Sequence, residues 1–95
     1  MAVSSFDYEI HGIVQGVRFR VYTVALARIL RINGYVTNTS YGTVKGFAEG
    51  TPQELGQFEK FLTNIGSPLS VIEKADINNR KENALAKHTS FRIFY

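Results

Sequence analysis

Gly12, Gly16 and Arg20 stand four residues apart in the run Gly12-Ile-Val-Gln-Gly-Val-Arg-Phe-Arg20. Where a glycine-relaxed turn joins a strand to a helix, successive backbone N–H groups can turn toward one anion. The helix N-terminus adds unpaired N–H groups and a partial positive charge. An arginine there offers a planar fork to two phosphate oxygens. Such a cradle suits a single phosphoryl group. It is not a nucleotide-binding loop, because no Gly-Lys-Ser/Thr follows and no acidic residue stands ready to hold Mg²⁺. The same residues also suit a plain tight bend followed by a solvated Arg20, and spacing alone leaves both readings open.

The other chemistry-bearing residues say less. Asn38 precedes a turn, where asparagine usually serves the turn itself. His11 and His88 are isolated and have no partner at ligand spacing, so no metal site is expected. His11 reads as a solvated strand residue, and Arg18 alternates away from the cradle toward solvent. Glu49, beside Gly50, reads as a turn-flanking carboxylate with no pairing residue. Cysteine is absent, which excludes a thiolate nucleophile, a disulfide framework and a cysteine-based zinc site.

The elements that must position these groups follow from hydrophobic period. Phe6, Tyr8 and Ile10 alternate with Asp7, Glu9 and His11, the pattern of a half-buried strand. From Val21 to Ile32 the apolar residues Tyr22, Ala25, Leu26, Ile29 and Leu30 recur at three and four, predicting an amphipathic helix ended by Asn33-Gly34. Tyr35–Asn38 and Thr43–Glu49 read as strands joined by a Ser40-Tyr41-Gly42 turn. Thr51-Pro52-Gln53-Glu54 is a helix start with a capping Thr, a first-position Pro and a Glu at the third position. Leu55, Phe58, Leu62 and Ile65 continue that helix on one face, and Gly66 and Pro68 stop it. Val71–Ile77 is a further strand. The polar run from Asn78 to His88 reads as a loop, and Phe91, Ile93 and Tyr95 alternate in a short last strand. The order predicts an α+β, ferredoxin-like βαββαβ sandwich, with two helices on one face of a mostly antiparallel sheet and the other face open.

The 95 residues suffice for one domain, 1–95, with a single core. With 44% hydrophobic and 20% charged residues the composition is that of a folded chain, not a disordered, fibrous or membrane protein. Met1-Ala2-Val3-Ser4-Ser5-Phe6-Asp7 carries no basic run followed by an apolar stretch, so the expected location is cytoplasmic. The net charge of +3 is uneven: residues 1–48 hold five basic against two acidic side chains, and the remainder holds six of each. The bias suggests an anionic ligand in the N-terminal half. It is too thin for the basic stripe of a nucleic-acid surface, and no nucleic-acid or membrane partner is expected.

Two long segments together resemble a known family. Gly12-Ile-Val-Gln-Gly-Val-Arg-Phe-Arg20 resembles the phosphate-binding signature of acylphosphatases, G-x-V-Q-G-V-x-F-R, and Gly34-Tyr-Val-Thr-Asn-Thr-Ser-Tyr-Gly-Thr-Val-Lys-Gly46 resembles their second signature. The separation of Arg20 from Asn38 agrees with the family, and the likeness runs over nearly the whole chain. Tyr35 stands where the family usually has Trp, and Val21-Tyr22 replaces a more polar pair.

The resemblance implies hydrolysis of a carboxyl–phosphoryl anhydride to a carboxylate and inorganic phosphate, with no cofactor and no metal. It makes Arg20 and Asn38 catalytic. The backbone of Gln15, Gly16, Val17, Arg18, Phe19 and Arg20 would hold the phosphoryl group, and the Asn38 amide would orient water. Its implied partners are a small acyl phosphate and inorganic phosphate, the latter as product and inhibitor, acting on a monomer. Two rivals of the same fold are a non-catalytic anion-binding module and an RNA-binding module using the open sheet face. The third strand lacks the aromatic pattern of the latter.

Overall fold

The computed structural model of the protein describes residues 2–94. Along the chain run β1 (Ala2–Ile13), α1 (Phe19–Ile29), β2 (Asn33–Asn38), β3 (Val44–Gly50), α2 (Pro52–Lys60), β4 (Val71–Leu85) and β5 (Phe91–Phe94). A π-helical turn, Phe61–Ile65, continues α2. The sheet order is β4-β1-β3-β2-β5; β2 and β5 pair in parallel and the other neighbours are antiparallel. Each helix therefore links two parallel strands with a third between them, the split βαβ arrangement of the ferredoxin-like sandwich.

The inward faces of β1, β2, β3 and β5 supply Phe6, Tyr8, Ile10, Val36, Val44, Ala48 and Phe91 to the core. Leu55, Phe58, Phe61 and Leu62 cover them from the second helix, and Phe19, Val24 and Ala27 from the first. Thr51 caps α2 as its sequence predicts, its hydroxyl accepting from the Glu54 N–H at 3.3 Å.

Several expectations differ from the structure. The first helix buries Phe19, Thr23, Val24 and Ala27, whereas Tyr22, Ala25 and Ile29 face out. Val21, Tyr22 and Ile29 make the helix apolar nearly all round, so period alone did not single out one stripe. The helix ends at Leu30–Arg31, with Arg31 at a φ of 60°, and Asn33 and Gly34 already belong to β2. Ile65 is exposed, because the π-turn rotates it off the buried face. Most of the supposed loop from Asn78 is strand: β4 continues to Leu85, pairing with β1 as far as Ala2. It is an edge strand with register shifts against Val3–Asp7 and with Asn79 and Asn83 in left-handed conformations. Bulged, polar edges resist pairing with another chain, and they also erase the alternation by which a strand is read. Tyr95, assigned to the last strand, lies outside the described residues.

β4 and β5 lie on opposite edges, about 19 Å apart at the usual strand spacing. The six steps from Leu85 to Phe91 span at most about 21 Å, so this connection must cross the sheet nearly extended. Glu49, at the end of β3 and 2% exposed, receives it. Its carboxylate accepts the Lys87 N–H at 2.9 and 3.0 Å and the His88 N–H at 2.9 Å. Glu49 is thus no idle turn carboxylate but the anchor of a strap at the end of the sheet opposite Gly12.

Candidate phosphoryl site

β1 delivers the glycine-containing segment to its place. Gly12 has a φ of 130°, and a Cβ there would collide with the Val71 carbonyl of β4. Val14, 1% exposed, anchors the chain in the core just beyond. The segment then turns through Gly16 at a φ of 74° and Arg18 at 61°, two left-handed residues separated by one. Backbone of this kind forms concavities of N–H groups. A Cβ on Gly16 would meet nothing within 4 Å, so its glycine is explained by φ alone.

α1 begins directly afterwards with Arg18 as N-cap, no side-chain cap and no acidic residue in its first turn. Its leading N–H groups have no intrahelical acceptor, as at any helix start. Val14, Gly16, Arg18, Phe19, Arg20, Val21 and Asn38 line one concavity of about 270 Å³. That lining includes two guanidinium side chains, one amide and no carboxylate or imidazole.

Asn38 enters from β2, where it is the last residue and pairs with Val44. Its Oδ1 is buried and has no hydrogen-bond partner among the described residues. A buried amide oxygen left unpaired costs on the order of 1–3 kcal/mol, which a ligand or water in the concavity would recover.

Gln15 has a role that sequence reading did not assign. Its side-chain Nε2 donates to the carbonyls of Thr39 at 2.8 Å and Thr43 at 2.9 Å, tying the cradle to the β2–β3 turn just beyond Asn38. The turn is braced in its own right: the Thr39 and Thr43 hydroxyls lie 2.6 Å apart, and the Thr43 hydroxyl donates to Glu9 at 2.6 Å. No local signal marks Gln15, because its partners lie 24 and 28 residues further on.

Of the six residues expected in the cradle, Gly16, Arg18, Phe19 and Arg20 line the concavity; the Gln15 side chain serves the turn and Val17 packs against the core. The Arg18 side chain is exposed at the rim. The two histidines stand apart from this site. His11 is not merely solvated but lies 3.0 Å from Asp76 across the β1–β4 pair. His88 lies over the far end of the open face, 5.3 Å from the Phe47 ring.

Among the described residues no three His, Cys, Asp or Glu side chains group as metal ligands, and no helix is long and apolar enough to cross a membrane.

Comparison with known proteins places this geometry in context. The acylphosphatase family model matches residues 6–93. Acylphosphatase-1 of Gallus gallus is 47% identical over 89 residues, covering 94% of this chain and 90% of its own. Acylphosphatase-1 of Drosophila melanogaster is 40% identical over 91 residues, covering 96% of this chain and 76% of its own. The crystal structure of acylphosphatase from Bacillus subtilis superposes with a TM-score of 0.88 at 30% identity, covering 97% and 99% of the two chains. With the family model matched from the first core strand to the last, the chain belongs to the acylphosphatase family.

Proposed function

We propose that the protein hydrolyses small acyl phosphates, with the phosphoryl group held in the concavity at the start of α1. Backbone N–H groups from Gln15 to Arg20 and the Arg20 guanidinium hold the phosphoryl oxygens. Asn38 offers Oδ1 to a hydrogen of the attacking water. The new P–O bond forms to that water, the bond from phosphorus to the acyl oxygen breaks, and the surplus proton passes to a phosphoryl oxygen. An amide is a poor base, so Asn38 positions the water without taking its proton.

The chemistry needs no more than this. A departing carboxylate has a pKa of roughly 4, so it leaves without a general acid. The phosphoryl group is transferred through a loose transition state, where positioning and charge stabilisation supply most of the catalysis. The observation that carries the reading is that Asn38, whose buried Oδ1 has no partner among the described residues, lines the same concavity as Arg20.

Membership of the family supports the substrate class, and the absence of a carboxylate or imidazole from the lining supports metal-independent action. The rival use of the open face is disfavoured by its own strap. Tyr35 packs on Phe94 and His88, and Phe47 on His88 and Lys87, so both rings are partly covered by neighbours.

The test is hydrolysis of benzoyl phosphate by purified protein with and without EDTA. Turnover should survive the chelator, and inorganic phosphate should inhibit competitively. A strict requirement for Mg²⁺ or Zn²⁺ would sink the mechanism, and no turnover at all would sink the function.

A further inference from the structure

The helix layer presents two unlike surfaces to solvent. On α2 the outward residues Gln53, Gln57 and Lys60 are polar, as on a solvated helix. On α1 the outward crest is apolar: Val21, Tyr22 and Ile29 are 54%, 43% and 77% exposed, and Ala25 lies exposed among them. These residues stand at i, i+1, i+4 and i+8, so they form one stripe turned away from the buried Phe19, Thr23, Val24 and Ala27. Ile65 of the π-turn, 62% exposed, flanks the stripe across a groove that it lines together with Tyr22 and Ile29. Val21-Tyr22 is also where the sequence departs from the family's more polar pair, so the apolar crest is a feature of this chain beyond its fold. A contiguous exposed apolar patch of this kind marks an interaction surface.

The charge around the crest is of one sign. Residues 18–31 hold four of the chain's eleven basic residues and none of its eight acidic ones. Arg20 belongs to the phosphoryl concavity. Arg18, Arg28 and Arg31 are exposed, at the start of the helix, in its last turn and just past its end. Among the described residues none of these three has a carboxylate partner; Arg28 donates to the Phe91 carbonyl at 3.5 Å. The carboxylates of α2 are engaged elsewhere: Glu59 accepts from Arg80 at 2.6 Å, and Glu54 accepts from the Thr51 hydroxyl at 3.0 Å. Overall charge predicted no membrane partner, but folding concentrates the positive excess along one exposed helix.

We propose that the outward face of α1 docks this protein reversibly on an anionic phospholipid surface. An apolar crest with basic residues beside it is the pattern by which a helix lies in the headgroup region. Val21, Tyr22, Ala25 and Ile29 enter the acyl boundary. Arg18, Arg28 and Arg31 reach headgroup phosphates with their guanidinium groups while their stems stay along the apolar stripe. A bilayer needs no pocket opposite each side chain, which suits a convex crest. A second copy seated on this face would bring the same arginines against these, like charge against like. The docking does not depend on what the concavity at the helix start binds.

The experiment is flotation of the purified protein with vesicles of phosphatidylcholine alone and of phosphatidylcholine containing about 30% phosphatidylserine. The parent should float with the anionic vesicles and bind the neutral ones at least about tenfold more weakly. A basic residue close to such a surface contributes about a fivefold factor in affinity, so Arg28→Gln with Arg31→Gln should lower binding by about tenfold or more. Lys45→Gln with Arg92→Gln removes the same charge from exposed positions on the open face of the sheet and should lower it by less than about threefold. Tyr22→Ser with Ile29→Ser keeps every charge and should also lower binding by about tenfold or more, through lost apolar burial. All six positions are exposed, and a thermal melt verifies folding. No binding of the parent to anionic vesicles overturns the proposal. Equal losses in the two charge pairs overturn it too, since the attraction would then follow net charge and not this face. A concentration-dependent dimer that the Tyr22 and Ile29 variant disrupts, without vesicle binding, gives the face to a second copy instead.

Discussion

Arg20 and Asn38 share one concavity, and the proposed mechanism gives them separable tasks that substitution should pull apart. In the proposed mechanism Arg20 would hold phosphoryl oxygens before and during transfer, so Arg20→Ala should weaken phosphate binding and turnover together. Arg20→Lys should not rescue it, because a point charge does not make the planar two-oxygen contact. In the same mechanism Asn38 would act on water alone, so Asn38→Ala should lower kcat by about two to three orders of magnitude, the scale of one well-placed polar group. Its affinity for inorganic phosphate, measured by calorimetry, should stay within a few-fold of the parent. Collapse of phosphate binding in the Asn38 variant with turnover preserved at saturation would reverse the two roles. Motif resemblance singled out both residues in the sequence. The unpaired state of Oδ1 was not, because it depends on what the folded chain fails to bring near it.

At the scale of elements, the strap between β4 and β5 concentrates its hydrogen bonding on one buried carboxylate. Glu49→Ala leaves the Lys87 and His88 N–H groups without their acceptor, at about 1–3 kcal/mol for each left unpaired. Urea denaturation should show that loss, and the activity of the remaining folded protein should be nearly unchanged, since the strap lies at the opposite end of the sheet from the cradle. A large fall in turnover at full stability would mean that the strap communicates with the site. The strap was invisible in the sequence for a physical reason. Its anchor lies 38 and 39 residues earlier in the chain, and the bulges of β4 put Asn79 and Asn83 where an alternating pattern would show a strand. The α2 start, by contrast, was fully legible, because capping is settled within four residues.

At the scale of the whole molecule, the core residue Tyr8 couples stability to pH. Tyr8 is 2% exposed and donates its hydroxyl to the Tyr35 carbonyl at 2.8 Å. Burial, aided by the neighbouring Tyr35, holds its phenol well above the ordinary tyrosine range. Below about pH 10 the phenol is protonated in folded and unfolded chains alike, and its full contribution is present. Above that the unfolded chain ionises first, so stability should fall with rising pH by up to about 1.4 kcal/mol per pH unit from this residue. Tyr8→Phe should cost about 1 kcal/mol at neutral pH for the lost hydrogen bond. The gap between the two proteins should then close as pH rises from 9 to 11 in denaturation experiments; a constant gap would show that Tyr8 ionises freely in the fold. The inward position of Tyr8 was readable from its alternation with Asp7 and Glu9, as were the element order, the α+β class and the glycine-containing turn into α1, since each rests on neighbours in sequence. Tertiary structure alone decided which stripe of an almost wholly apolar α1 is buried, that Gln15 braces the Asn38 turn, and that Glu49 anchors the strap. Local order is written in local spacing, whereas these contacts join residues that only the closed sheet brings within reach.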